Sequence, residues 1–384
     1  MGGRGDAVIS PCPRVSVSPR PVHRSVRVLK REIRPLGKVS LMRVLAGDIG
    51  GTKTVVAIAE IGERHLSIRR FERYLSADFG SLEEILEDCL ARERRRPSVA
   101  GFGVAGPVRS GRAKITKLPW IIDERRVALA TGIARVRLWN DFVAAALGIS
   151  YLRPRQLVTL ARGRPEPDGP IGVIGAGTGL GQAALVAVGG RYQPLSSEGG
   201  HADFGPRDAT EDRLVSFVRS QFGRASRDRL LSGQGLTLIY DFLKADGFAR
   251  ETDAVARAFH EEDRAAVVSR FGLEKSDRLC EETLRRFVSI YGSEAGNLAL
   301  QYRATGGIYV GGGIATRILP ALKEPDFLAS FRAKPPMEEL LRNIPIRVVR
   351  EPRLGLFGAA AAAYRISIET TRPSRRTRMR PRRR

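Results

Sequence analysis

Apolar positions along the chain fall into short runs whose spacing switches between two periods. Val44–Ile49 and Val55–Glu60 read as strands either side of a glycine-rich turn, and Leu66–Tyr74, after Gly62, as a third. From Leu82 the period becomes helical. Leu82, Ile85, Leu86, Cys89 and Leu90 share one face behind Ser81-Leu-Glu-Glu84, a capping-box sequence. Val99–Val104 predicts a buried strand, Val136–Trp139 another, and Phe142–Ile149 an alanine-rich helix directly after it. Three strands followed by alternating helices and strands predict an α/β fold, a mixed sheet with helices on its faces.

The pattern partly recurs. Ile171–Ile174 reads as a strand, Gly175–Gly181 as a glycine loop and Gln182–Val188 as the next strand, turning at Gly189-Gly190. Thr52 and Thr178 occupy the two loops 126 residues apart, so two similarly built lobes are expected, each offering a glycine hairpin to a cleft. Ile308–Val310 predicts a buried strand running into a backbone-only loop, Gly311-Gly312-Gly313, and Gly355–Ala363 a closing helix.

Composition narrows the class. The 384 residues suffice for two ordinary cores, and no apolar run approaches the ~18 residues that span a bilayer. Cys12, Cys89 and Cys280 form no CxxC pair, which favours a reducing, cytoplasmic setting without a disulfide framework or structural zinc. The net charge of +24 invites a nucleic-acid partner. Its distribution argues otherwise: residues 1–41 carry nine Lys/Arg against Asp6 and Glu32, and residues 365–384 nine Arg against Glu369. Most of the excess lies in two basic extensions with too little apolar surface to fold, so no specific nucleic-acid partner is expected. Residues 1–41 read better as a start placed ahead of Met42 than as a targeting peptide, because their prolines interrupt an amphipathic helix.

Two glycine motifs fail on context. Gly101-Phe-Gly103-Val-Ala-Gly106 matches GxGxxG, yet Pro107 and Val108 follow where a dinucleotide fingerprint opens a helix. Gly47-Asp-Ile-Gly-Gly-Thr-Lys53-Thr54 approaches a Walker A loop, but Thr52 stands where glycine is required and a strand follows. What remains is a pair of β-hairpin phosphate loops, Gly47–Thr52 and Gly175–Gly181. Their glycines admit backbone N–H groups to phosphate oxygens, and Thr52 and Thr178 add hydroxyl donors. Asp48 suits a Mg²⁺-bound water, since Mg²⁺ keeps several waters and takes few carboxylates.

Asn140-Asp141 lies where a buried strand gives way to a helix, a usual place for functional residues in α/β proteins, although a helix cap explains the dipeptide in isolation. Ser197-Glu198-Gly-Gly-His201-Ala-Asp203 gathers carboxylates and an imidazole around two glycines. With no second His or Cys nearby, hydrogen bonds to a polyhydroxylated ligand suit this set better than a metal.

Gly47–Thr52, Val104-Ala-Gly-Pro107, Leu118-Pro-Trp120, Asn140-Asp-Phe142, Gly175–Gly181, Glu198-Gly-Gly-His201, Leu231-Ser-Gly233 and Gly311-Gly-Gly313 follow one another in the order and spacing of the bacterial glucokinase family. The chain resembles that family, part of the hexokinase/actin-like ATPase superfamily, over about residues 42–364. The resemblance implies a two-lobed actin-like ATPase (ribonuclease-H-like) fold with mixed sheets flanked by helices. A small lobe would span 42–150 and a large lobe 151–352, with a C-terminal helix at about 353–364 packing back on the small one. It further implies ATP- and Mg²⁺-dependent phosphorylation of the glucose 6-hydroxyl by a homodimer. Asp141 then corresponds to the general base, and Asn140, Asp141, Glu198 and His201 to sugar ligands. Gly47, Asp48, Ile49, Gly50, Gly51 and Thr52, with Gly175, Gly177, Thr178 and Gly179, would hold the phosphates, and Gly311, Gly312 and Gly313 would border the adenosine. The zinc-binding cysteine signature of the related repressor/open-reading-frame/kinase sugar kinases does not follow His201, which places the chain with the zinc-free members.

Two departures stand out. Asp228 occupies the place of a glutamate sugar ligand before Leu231-Ser-Gly233, one methylene shorter, so Asp228→Glu is expected to tighten glucose binding. Thr116-Lys117 replaces the usual Thr-Asn. Eukaryotic hexokinases carry Thr-Lys in a comparable loop, so Lys117 is either a phosphate contact or a solvated lysine. Two other functions share features with this reading: a kinase for another hexose or an amino sugar, and a non-catalytic sugar-responsive regulator. The intact Asp141 disfavours the regulator, and residues 1–41 supply no helix-turn-helix.

Overall fold

The computed structural model describes residues 41–115 and 118–369. Apolar runs and glycine turns produce the first sheet as expected. β1 (Met42–Ile49), β2 (Lys53–Ile61) and β3 (Leu66–Leu75) form an antiparallel meander, and β4 (Val99–Val104) adds parallel to β1. Between β3 and β4 the helix Leu82–Ala91 starts at Ser81, whose hydroxyl accepts from the Glu84 N–H. β5 (Val108–Arg109), β6 (Arg112–Lys114) and β7 (Ile121–Asp123) make a small separate sheet that left no periodic signal in the sequence. Lys117 falls between β6 and β7 and lies outside the described residues. β8 (Arg135–Asn140) completes the first sheet in the order β3-β2-β1-β4-β8.

The second sheet repeats this plan. It contains β9 (Leu157–Ala161), β10 (Ile171–Ala176), β11 (Leu180–Val188), β12 (Arg191–Ser197), β13 (Gly307–Gly311) and β14 (Ile346–Val349), in the order β12-β11-β10-β13-β14-β9. Again a three-stranded meander is followed by two parallel strands, with β9 added antiparallel at the far edge. A parallel neighbour requires a long crossover. That between β12 and β13 is largely helical, ending in the 24-residue helix Arg278–Gln301, and buries its apolar faces with Ile174, Ile308 and Val310.

One apolar cluster joins the two sheets. Val44 and Ala46 of β1, Val173 of β10 and Leu185 of β11 meet in it with the helices Asp141–Gly148 and Leu354–Glu369. The second helix presents Ala359 to Ala363, all buried. Glycine sets how closely these elements approach. A Cβ at Gly148 would lie 2.8 Å from the Gly358 nitrogen, and one at Gly358 would collide with the Ala144 carbonyl. Gly101, from the unproductive GxGxxG match, similarly admits the Ala359 carbonyl. The sequence reading differs at Gly311–Gly313. Gly311 ends β13, and Gly312-Gly313 open a short helix to Arg317, so this run is a strand-to-helix junction. Gly312 needs glycine there, with φ +86° and the Ala176 carbonyl pressed against it.

Candidate active site

Asn140 ends β8 and caps the helix that starts at Asp141. Its Oδ1 accepts from the Phe142 and Val143 amides at 3.0 and 3.2 Å, while its Nδ2 reaches the Gly106 carbonyl at 3.4 Å. Asn140 takes the capping task, and the Asp141 Oδ1 accepts from the Phe142 amide at 2.7 Å. Burial raises its pKa, two backbone amides pull it down, and the nearby Glu198 charge pushes it up, the net shift being upward. Asp48 sits one residue before the end of β1 rather than in the turn. Burial pushes its carboxyl up to about 6, with Asp141 adding to the rise and Lys53 opposing it. Two carboxylates thus share a poorly solvated place at the tips of β1 and β8.

The glycines of the two loops have separate reasons. Gly47 lies in β1 with no room for a side chain beside Phe102, and Ile49 is wholly buried in the core. The first turn is therefore only Gly50-Gly51-Thr52, closed by the Gly50 N–H donating to the Lys53 carbonyl at 3.1 Å. In the second hairpin, Gly175 and Gly181 make space for the Phe142 ring. Gly177 and Gly313, by contrast, face open space, as backbone that a ligand approaches must. The Gly177 carbonyl accepts from Gly233 of Leu231-Ser-Gly233 at 2.9 Å, which fastens the loop to the next helix.

Two adjoining cavities gather Asp48, Asn140, Asp141 and the second hairpin, whereas Gly50, Gly51 and Thr52 line neither. One, of about 470 Å³, is lined by Asn140, Asp141, Gly175, Gly177, Thr178, Gly179, Glu198, His201 and Asp228. The other, of about 620 Å³, is lined by Asp48, Asp141, Gly311, Gly312, Gly313 and Glu351. Asp141 is the carboxylate common to both. A third, of about 650 Å³, continues past Gly177 and Thr178 to Gly313 and Arg317. Glu198 and His201 flank the turn after β12, whereas Asp203 is exposed and ion-pairs with Arg224 at 2.5 Å, outside the set. Asp228 stands on the short helix Arg227–Leu230, its Oδ1 accepting from the Leu180 amide at 2.6 Å.

A profile of the glucokinase family matches residues 45–366. The chain belongs to the glucokinase family. It is 42% identical over 338 residues to the glucokinase of Nostoc punctiforme, covering 84% of this chain and 99% of that one. The glucokinase of a Caulobacter species is 35% identical over 319 residues, with 83% and 94% covered. Among solved structures, glucokinase from an Antarctic psychrotroph superposes with a TM-score of 0.75 at 30% identity, covering 84% of this chain and 99% of that one. A Streptomyces griseus glucokinase of the ROK family, solved with glucose and AMPPNP, shares the fold at a TM-score of 0.57 and 19% identity, with 84% and 99% covered. The fold is thus that of the actin-like ATPase sugar kinases, and this member of the glucokinase family is a sugar-phosphorylating enzyme.

One residue of the site, and two behind it that line neither cavity, escaped the sequence reading. Gln182, in the wall of the smaller cavity, and Glu294, on the long helix, join through a 2.7 Å hydrogen bond, and Arg227 pairs with the same carboxylate at 2.8 Å. Only Arg227 carried a signal, as the neighbour of Asp228.

Proposed function

We propose that this enzyme transfers the γ-phosphoryl group of ATP to the 6-hydroxyl of glucose, with Asp141 as general base. The observation that carries the reading is the position of Asp141, shared by the cavity holding Glu198 and His201 and the cavity holding Gly311–Gly313. Glucose would lie in the first, its hydroxyls on Asn140, Glu198, His201 and Asp228. The phosphates would meet the amides and hydroxyls of Gly50-Gly51-Thr52 and Gly177-Thr178-Gly179, and the adenosine the Gly311–Gly313 side. The segments 42–150 and 151–352 are read as lobes whose closure excludes water, whose hydroxyl otherwise competes with the sugar's.

Phosphoryl transfer depends mostly on positioning and charge neutralisation. Removing the 6-hydroxyl proton to Asp141 adds ~10²–10⁴-fold. Its raised pKa strengthens it as a base at the cost of partial protonation at low pH. Asp48 fits the implied Mg²⁺: it is a buried carboxylate beside the phosphate turn, and no cluster of three or more His, Cys, Asp or Glu side chains among the described residues competes for the ion. When bound there, Mg²⁺ would neutralise phosphate charge. A homodimer and a cytoplasmic location belong to the same reading. Among the described residues no helix is long and apolar enough to cross a membrane.

The test is a coupled assay of the full chain with Mg-ATP on glucose, mannose, fructose, galactose and N-acetylglucosamine. Clear preference for glucose is expected. Faster turnover of another sugar would favour the second reading, a kinase for a different hexose, which the commitment of one Asp228 oxygen to Leu180 supports. No turnover on any sugar would leave the non-catalytic regulator.

A further inference from the structure

The segment before Leu231-Ser-Gly233 touches both sides of the site. On the sugar side, the Arg227 amide donates to the Ala202 carbonyl at 3.0 Å and Phe204 donates to the Ala225 carbonyl at 3.0 Å, around a β-bridge between Asp203 and Ser226. On the phosphate side, the Asp228 Oδ1 accepts from Leu180, the first residue of β11, at 2.6 Å. The same oxygen lies 2.5 Å from where a Cβ at Gly179 would stand, so carboxylate and loop fit with no slack. Arg227 adds a second tie to β11. Its Nη1 donates to Glu294 Oε1 at 2.8 Å, and that oxygen also accepts from Gln182 Nε2 at 2.7 Å. Asn297 Nδ2 donates to the other Glu294 oxygen at 2.9 Å. Glu294 is about 5% exposed and has three donors, which is how a buried carboxylate is kept without large cost.

We propose that Arg227 and Asp228 splice the sugar loop to the second phosphate hairpin, with Glu294 as the buried anchor, so that filling one side sets the geometry of the other. The proposal rests on the reading that the two sides take sugar and ATP. Asp228 is then a positioning residue for the phosphate hairpin as well as a group facing the sugar. The substitution of aspartate for glutamate has a reason in this arrangement: the shorter side chain reaches Leu180 where Gly179 leaves room.

The experiment is calorimetric titration of a non-hydrolysable ATP analogue with Mg²⁺ into the full chain, with and without saturating glucose. Wild type is expected to bind the analogue more tightly with glucose present. Asp228→Ala should weaken analogue binding without sugar by about tenfold, equivalent to about 1.4 kcal/mol, and abolish the glucose effect. Asp228→Asn retains an Oδ1 acceptor for Leu180. It should keep analogue affinity within about twofold while weakening glucose, and this split also covers an Ala variant that fails to fold. Analogue affinity and glucose effect unchanged in Asp228→Ala, or Asn as damaging as Ala to sugar-free analogue binding, would overturn the splice. No analogue binding by folded wild type would instead overturn the assignment of ATP to this cleft.

Discussion

Both glycine hairpins join antiparallel strands at the centre of a sheet, and each is flanked by a parallel strand, β4 in the first case and β13 in the second. The penultimate residue of the leading strand is Asp48 in the first hairpin and Gly175 in the second. In the first unit that place holds a buried carboxylate beside Lys53 and Asp141. In the second it is emptied to admit Phe142, and the nearby acid, Asp228, arrives from a helix 48 residues beyond Leu180. One backbone plan therefore serves two tasks. The first hairpin holds charge in its own strand, whereas the second is shaped by its neighbours and depends on them for its conformation.

The largest effect that would break this contrast is at Asp48. A carboxyl that holds its proton more tightly when folded adds stability below pH ~3.8 and loses it as pH rises through about 6. Asp48→Asn should therefore raise stability at pH 8 by up to about 3 kcal/mol, at about 1.36 kcal/mol per tenfold in proton affinity, with the gain vanishing below pH ~4 while activity falls. Denaturant titrations at pH 8 and pH 4 read this directly. An equal effect at both pH values would place Asp48 in an unstrained environment.

Next come the glycines of the second hairpin. Gly181→Ala must push into Phe142 and should cost about 1–3 kcal/mol of stability. Gly177→Ala meets nothing within 4 Å and should leave the melting temperature nearly unchanged while raising KM for ATP. Identical behaviour of the two variants would remove the distinction between packing and ligand-facing glycines. Smaller still is the pH effect on wild-type activity. Because the Asp48 and Asp141 pKa values are both raised, kcat/KM should fall on acidification at a higher pH than an ordinary carboxylate would give, and Asp48→Asn should move that acid limb downward.

What the sequence made legible follows from range. The Val99–Val104 strand, both hairpins and the Ser81 cap were readable because periodicity, glycine turns and capping act within a few residues. The same locality placed Asn140-Asp141 at a strand-to-helix junction, and the ordered motifs identified the family. The Asp228–Leu180 bond and the Arg227–Glu294–Gln182 cluster join residues 48 to 112 positions apart, which no local pattern encodes. By sequence Asp48 falls both in the strand Val44–Ile49 and in the loop Gly47–Thr52, because a strand-end aspartate beside glycines also reads like a loop residue. Its backbone is in fact paired on both sides, with Val55 and Gly103.

The central claim is that Asp141 removes the proton of the accepting hydroxyl, and Asp141→Asn tests it most directly. The variant keeps the size of the side chain and an oxygen for the Phe142 amide, so the fold and glucose affinity, followed by circular dichroism and calorimetry, should change little. The account predicts that kcat for glucose then falls by at least ~10². A folded, glucose-binding Asp141→Asn variant that retains most of its kcat would contradict it.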